Sequence, residues 1–114
     1  MIISRQEYAA GLLLAGNLDW YYYDDLGCFA LDYEEFKRGG KDVVEAKVVD
    51  FKTKSIIDAK IAHYVYADPK SLWTPMSYGF VAFEQIEAAV EAAEKYKGEV
   101  KTFEGLIEWA KKRL

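Results

Sequence analysis

The sequence predicts an α+β fold, in which a mixed sheet is built from two ββαβ-type repeats with helices packed on one side, plus a C-terminal helix. The main observation is a strand–helix–glycine–strand pattern that occurs twice, at residues 18–51 and 79–103. A helix between two strands acts as a crossover, which makes the flanking strands parallel within one sheet. A hairpin partner before each copy completes the ββαβ unit, so helices and sheet form separate layers.

Length and composition indicate a single domain over residues 1–114 with a substantial core. Hydrophobic residues make up 52% of the chain and aromatic residues 16%, which excludes a disordered chain. The net charge is −4 without a basic stripe, so we expect no nucleic-acid partner. The longest charge-free apolar stretch is too short to span a bilayer, so we expect no membrane span. It also lacks the features of a signal peptide, so we expect a cytoplasmic location.

The first repeat follows from turn and capping signals. Acidic residues before a helical apolar pattern act as an N-cap, and a glycine pair after it acts as a C-cap. In chain order we predict a strand at 7–14, a turn at Gly16 and Asn17, a strand at 18–23, a helix from Asp24 and Asp25 to about residue 37, a stop at Gly39 and Gly40, and a strand at 43–51 with Val44, Ala46 and Val48 on one face.

The second repeat contains the clearest helical periodicity in the chain. The predicted helix at 84–97 has an apolar face made of Ile86, Ala89, Val90 and Ala93, and it ends at Gly98. The other predicted elements are strands at 55–58, 61–67, 79–83 and 99–102, an irregular loop at 68–78, and a last helix at 103–114 capped by Thr102.

The stretch from Trp73 to Phe83 has neither the residue pattern of a buried element nor that of an exposed loop. Pro75 fixes its own backbone and restricts the residue before it, and Gly79 permits a sharp bend ahead of an apolar strand. The turn therefore presents the thioether of Met76 at a loop-to-strand junction, in the longest loop of the chain.

Three side chains are candidate metal ligands, and each has a simpler structural interpretation. Cys28 is the only cysteine, so it forms no intramolecular disulfide; it is either a metal-binding or reactive thiolate, or a small semi-buried hydrophobe. His63 is the only histidine, and it is either a ligand or an imidazole packed beside Ile61 and Val65. Met76 is either a ligand or a gap-filling side chain. Together, a thiolate, a thioether and an imidazole suit Cu(I) better than zinc.

Catalytic patterns are absent from the sequence. Local motifs show no Ser/His/Asp arrangement, and no glycine-rich loop precedes a helix to hold phosphate. The acidic pairs Asp24–Asp25 and Glu34–Glu35 are explained by a helix cap and a solvated helix face. We therefore expect that the protein is not an enzyme.

Three stretches of the chain resemble the NosL family, the accessory proteins of nitrous-oxide reductase maturation. The resemblance runs from about Gly11 to Trp109 and is most specific in its third stretch, a Pro-Met-x-x-Gly-x-x-Ala-Phe signature. The stretches are 23–28 (Tyr-Asp-Asp-Leu-Gly-Cys), 49–51 with 57–59 and 62–65 (Val-Asp-Phe, Ile-Asp-Ala and Ala-His-Tyr-Val), and 74–83 (Thr-Pro-Met-Ser-Tyr-Gly-Phe-Val-Ala-Phe).

This resemblance implies a small metal-trafficking domain, with Cu(I) as the metal and a copper protein as the recipient. It also implies a fold of ββαβ units, and Cys28 and Met76 match family positions. His63 corresponds to a position that is often aromatic in the family. Family members usually carry an N-terminal export signal, a lipid-anchoring cysteine and a Cys-Gly-Met motif, and we identify none of these patterns in residues 1–114.

The departures from the family pattern leave a second hypothesis open. A scaffold of this kind without a metal role would act as a protein-interaction or small-ligand-binding domain. The many tyrosines, nine in all, favour a polar-tipped aromatic surface and a possible homodimer.

Overall fold

A computed structural model describes residues 6–114 of the chain. The first five residues of the predicted domain, Met1 among them, lie outside the described residues. After a short 3₁₀ turn at Gln6–Tyr8, the elements are β1 (Ala10–Leu14), β2 (Tyr21–Tyr23), α1 (Leu26–Arg38), β3 (Val43–Val49), β4 (Ile56–Asp58), β5 (His63–Tyr66), β6 (Phe80–Phe83), α2 (Ile86–Tyr96), β7 (Glu99–Lys101) and α3 (Phe103–Lys111).

The described elements confirm the α+β fold class and the two ββαβ units. The first sheet has the strand order β2-β1-β3-β4, and the second has the order β6-β5-β7. In both, the strands that flank the crossover helix pair antiparallel with the strand between them, so they run parallel to each other. The predicted C-terminal helix is present as α3.

The expected single sheet is divided into two parts. Every pairing within each part is antiparallel, and a lone parallel bridge between Asp50 and Ala82 connects them in the described chain. The division follows from a turn directly after β3, where the side chain of Asp50 accepts the backbone N–H groups of Lys52 and Thr53. This turn redirects the chain after β3 and prevents a longer ladder between the two parts.

The helices cover different faces of the second sheet. On β5, Tyr64 belongs to a core shared with α1 and α3, whereas Val65 belongs to a second core shared with α2. The prediction of helices on one side therefore holds for the first sheet, where α1 covers the inner face, but not for the second sheet. The C-terminal helix occupies the face that α2 leaves free.

The first helix begins and ends where its capping residues predict. Asp25 is the N-cap, and its carboxylate accepts the N–H of Gly27 at 2.9 Å. Gly39 is the C-cap, and its N–H binds the carbonyl of Glu35. The strands before this helix are shorter than predicted, because residues 6–8 form a 3₁₀ turn and β2 begins only at Tyr21.

Two predicted apolar faces are wrong in detail. Val44 is 54% exposed, because the register shifts between Leu13 and Leu14 and the resulting bulge turns Val44 out of the inner face. On α2, Ala89 is buried, while Ile86 and Val90 are 41% and 45% exposed. The buried side of α2 is made of small residues instead, which lets the helix approach its sheet closely: Ala88, Ala89, Ala92 and Ala93.

Gly79 forms the junction between the long loop and β6. Its φ angle is +78°, and a Cβ atom there would collide with the carbonyl oxygen of Ala67. The Gly79 carbonyl accepts the Ala67 N–H at 3.0 Å. The close approach and the positive φ both require glycine, as the sequence predicts for this bend.

Among residues 6–114, no helix combines the length and the apolar character that crossing a membrane requires.

Candidate functional site

The site is centred on Asp25, whose side chain is fully buried at the start of α1. One carboxylate oxygen accepts the N–H of Gly27 and so caps the helix. The other accepts two hydrogen bonds from the long loop, one from the hydroxyl of Thr74 and one from the N–H of Met76, both at 2.7 Å. Asp25 therefore joins the helix of the first unit to the loop of the second.

Thr74 organises the loop around this carboxylate. Its side chain is fully buried, and its hydroxyl oxygen accepts the N–H of Gly79 at 3.1 Å while the same hydroxyl donates to Asp25. Its carbonyl accepts the N–H of Ser77, which has a positive φ of 62°. Residues 74–79 are thus a closed turn in which Met76 occupies a fixed backbone position.

Met76 combines a fixed backbone with an exposed side chain. Its N–H is bound by Asp25, yet the residue is 54% exposed. A gap-filling methionine is buried among apolar neighbours. The exposure of Met76 argues against that role and leaves its thioether accessible beside the start of α1.

Cys28 lies in the first turn of α1, three residues after Asp25, and is partly buried. Burial and, after it, the carboxylates of Asp25, Asp24 and Asp32 together raise the pKa of its thiol to about 11. The helix N-terminus favours a thiolate, but burial and the three acids outweigh that effect. The thiol therefore carries its proton at neutral pH and binds a metal ion only by releasing it.

His63 lies at the far end of the second sheet. His63 pairs with Phe83 at one end of the β5–β6 ladder. The loop at 68–78 leaves from the other end of this ladder, where the Ala67 N–H binds the Gly79 carbonyl. Four strand residues separate these two ends, which is about 13 Å at about 3.3 Å per residue. The strand pairing thus separates His63 from the loop that carries Met76, while Asp25 holds that loop against the helix turn of Cys28.

The candidate metal donors at this junction are the sulfur atoms of Met76 and Cys28. Within residues 6–114, no three side chains drawn from His, Cys, Asp and Glu stand together as a metal-binding group. A site here depends on the thioether of Met76 and the thiol of Cys28. Soft sulfur ligands fit Cu(I), whereas a structural zinc site needs four ligands.

A second buried aspartate, Asp50, also joins the two units. Its role was not predicted from the sequence. One oxygen of Asp50 accepts the N–H groups of Lys52 and Thr53, and the other accepts the N–H of Glu84 at 2.8 Å. Burial raises the pKa of the Asp50 carboxyl, but the hydrogen bonds from Glu84, Thr53 and Lys52 outweigh it and hold that pKa below its ordinary value. The available signal was an aspartate at a strand end before polar residues, which is typical of an Asx turn.

The fold and this junction define a two-unit ββαβ domain with an anchored loop that presents sulfur. Comparison of the chain with protein-family models, with curated proteins and with solved structures found no match.

Proposed function

We propose that this protein is a non-catalytic Cu(I)-binding domain of the metallochaperone type, in which Met76 and Cys28 bind the ion and a copper protein receives it. One observation carries the proposal. The carboxylate of Asp25 binds the backbone of Met76 and caps the helix turn that contains Cys28. A thioether and a thiol are thereby anchored to the same end of α1, in a chain that resembles the copper accessory proteins of nitrous-oxide reductase.

The chemistry of the two sulfur atoms supports transfer of copper over storage. Thiolate and thioether ligands select Cu(I), and two protein ligands leave the ion open to a third ligand from a recipient. The exposure of Met76 gives a recipient access to the ion. His63, predicted as a third ligand, is not included, because the β5–β6 pairing separates it from the loop.

The test is a competition for Cu(I) between the reduced protein and a chromophoric chelator such as bicinchoninate, under anaerobic conditions. We expect the wild type to withdraw one equivalent of Cu(I). Met76→Leu preserves side-chain volume and removes the thioether, and Cys28→Ala removes the thiol. We expect the double variant to lose affinity by at least about a hundredfold, because two soft ligands are removed.

His63→Gln is the matched control, and we expect it to bind Cu(I) with wild-type affinity. Failure of the wild type to compete with the chelator would contradict the proposal. So would unchanged affinity in the Met76→Leu, Cys28→Ala double variant, since the copper would then be held elsewhere.

A second candidate function is a scaffold without a metal role that acts through protein interaction or small-ligand binding, possibly as a homodimer. The observation that favours it is the burial and acidic surroundings that raise the pKa of the Cys28 thiol to about 11, which opposes metal binding. Purified protein without copper in elemental analysis and without chelator competition would support this candidate. Light scattering would then decide between a monomer and a homodimer.

A further inference from the structure

The outer face of the first sheet, opposite α1, carries a groove of about 600 Å³. Its walls are mainly apolar and aromatic, and its lining includes Gly11, Trp20, Tyr22, Val49 and Ile56. The described helices pack elsewhere, because α1 covers the inner face of this sheet and α2 and α3 pack against the second sheet. Its volume lies within the range of about 300–1,000 Å³ that is typical of small-molecule sites.

The floor of the groove depends on a glycine. A Cβ atom on Gly11 would lie 3.1 Å from Cε3 of Trp20, so the indole ring lies over the bare backbone of β1. Gly11 pairs with Tyr22 on one side and with Lys47 on the other. Residues directly opposite in a sheet share a face, so an aromatic side chain and a lysine flank this floor.

Two lysines give the groove its polarity. Lys47 lines it and forms no ion pair with any residue in the described range 6–114. Lys54 also lines it, and its ammonium is 3.9 Å from a carboxylate oxygen of Glu7, with 60% of the side chain exposed. Glu7 is largely buried, with 14% of its side chain exposed, so only the lysine end of this pair faces solvent. The separation is close to the limit of about 4 Å for an ion pair, so the Lys54 ammonium can turn towards an anion, and Lys47 has no ion pair to break within the described chain.

We propose that this groove is a binding site for a small amphipathic anion, that is, an apolar body bearing one carboxylate or sulfonate. Trp20, Tyr22 and Ile56 contact the apolar body, and the ammonium groups of Lys47 and Lys54 bind the anionic group. The site is on the opposite side of the first sheet from α1, so it is separate from the proposed copper site and neither depends on the other.

Charge favours this ligand over a second copy of the chain. In a two-fold symmetric dimer the same patch lies on both sides of the interface. The ammonium groups of Lys47 and Lys54 from both subunits would then be brought into one interface. Such like-charge contacts oppose association, whereas an anion neutralises them.

The test uses 8-anilinonaphthalene-1-sulfonate as the probe and decanoate as the competitor, followed by ¹H–¹⁵N spectra of the full chain. We expect the indole N–H signal of Trp20 to shift on titration, while that of Trp109, on α3, stays in place. Decanoate is expected to displace the probe at least about tenfold better than decanol or decyltrimethylammonium. This ratio corresponds to the loss of one charge-assisted contact.

Charge-reversal variants locate the anion. Lys47→Glu and, separately, Lys54→Glu are expected to weaken decanoate binding by about tenfold or more. Lys41→Glu, an exposed residue outside the groove, makes the same change in net charge and should bind decanoate as the wild type does. Two independent lysines keep the test decisive if one variant fails to fold.

Three results would overturn the proposal. The first is the absence of a Trp20 shift with either anion at millimolar concentration. The second is equal binding of decanoate, decanol and the cationic analogue, which would indicate a hydrophobic surface without anion selectivity. The third is a concentration-dependent dimer that protects the Trp20 signal, which would identify the face as an interface between copies.

Discussion

The two ββαβ units share one topology but differ in how their sheets are covered. In the second unit, Tyr64 and Val65 are both fully buried, because helices lie on both faces of β5. In the first unit, α1 covers the inner face only, and the outer face carries the groove above Gly11. One sheet is therefore an interior layer, and the other presents a face to its surroundings.

The difference shows that the same repeat performs two tasks in this chain. The C-terminal helix follows the second unit and fills its free face with Phe103 and Leu106, so that unit supplies most of the two-sided core. The first unit leaves the outer face of its sheet without a covering helix within the described residues. Its helix start also carries Asp25, so the first unit contains the proposed groove site and half of the junction at the long loop.

The largest expected effect on stability comes from truncating a side chain of α3 that packs against the second sheet. Leu106 is fully buried, and Leu106→Ala should lower the free energy of unfolding by about 3 kcal/mol, through lost burial and the cavity that remains. The matched change on the open sheet, Leu13→Ala at a half-buried position, should cost about 1 kcal/mol. Urea denaturation of both variants measures the difference. Equal losses would show that the two sheets are covered alike.

An intermediate effect is expected at the junction between the units. Asp25→Asn places an amide donor where the carboxylate accepts from Gly27, Thr74 and Met76, so one buried donor loses its partner in either amide orientation. We expect a loss of about 2 kcal/mol in the free energy of unfolding. Asp24→Asn, at the neighbouring half-buried position, is the control and should stay within about 0.5 kcal/mol of the wild type. Similar losses in both variants would remove the special role of Asp25.

The smallest expected effect concerns Asp50 and depends on pH. Because the pKa of Asp50 is lowered from its ordinary value of 3.8 in the folded chain, its stabilising contribution is complete above that value and is lost as the pH falls through the folded value. Asp50→Asn should cost about 1 kcal/mol at pH 7, because one of the three part-buried backbone N–H groups that the carboxylate binds loses its acceptor. The gap between wild type and variant should narrow in urea denaturation at pH 3 and below. A gap that is constant with pH would contradict a role for the ionised carboxylate.

Local signals predicted the elements of the fold well. The cap at Asp25, the stop at Gly39, the bend at Gly79 and the cap at Thr102 all occur as predicted. These features depend on residues within one turn of each other, so the sequence contains the physical cause. The two crossovers and the parallel course of their flanking strands are also confirmed, because a helix that connects two strands of one sheet returns the chain in the same direction.

Features that depend on distant residues were not predicted. The contact of Asp25 with Thr74 spans 49 positions, and nothing near either residue specifies the other. The exposed position of Val44 arises from a bulge in its pairing with another strand, and the buried face of α2 is set by how closely the helix approaches its sheet. For the candidate site, residue chemistry predicted Met76, Cys28 and His63 as ligands. The position of His63 along the second sheet depends on the strand register, which the sequence does not specify.

The hydrogen bonds of Asp25 also have a consequence for the order in which the chain becomes stable during synthesis. The first unit ends at Val49, but two of the three donors to its Asp25 carboxylate come from Thr74 and Met76. In a nascent chain that has not yet reached residue 76, the Asp25 carboxylate therefore has only one of its three protein donors, the N–H of Gly27. Part of the stability of the first unit therefore depends on the second, which couples the folding of the two units.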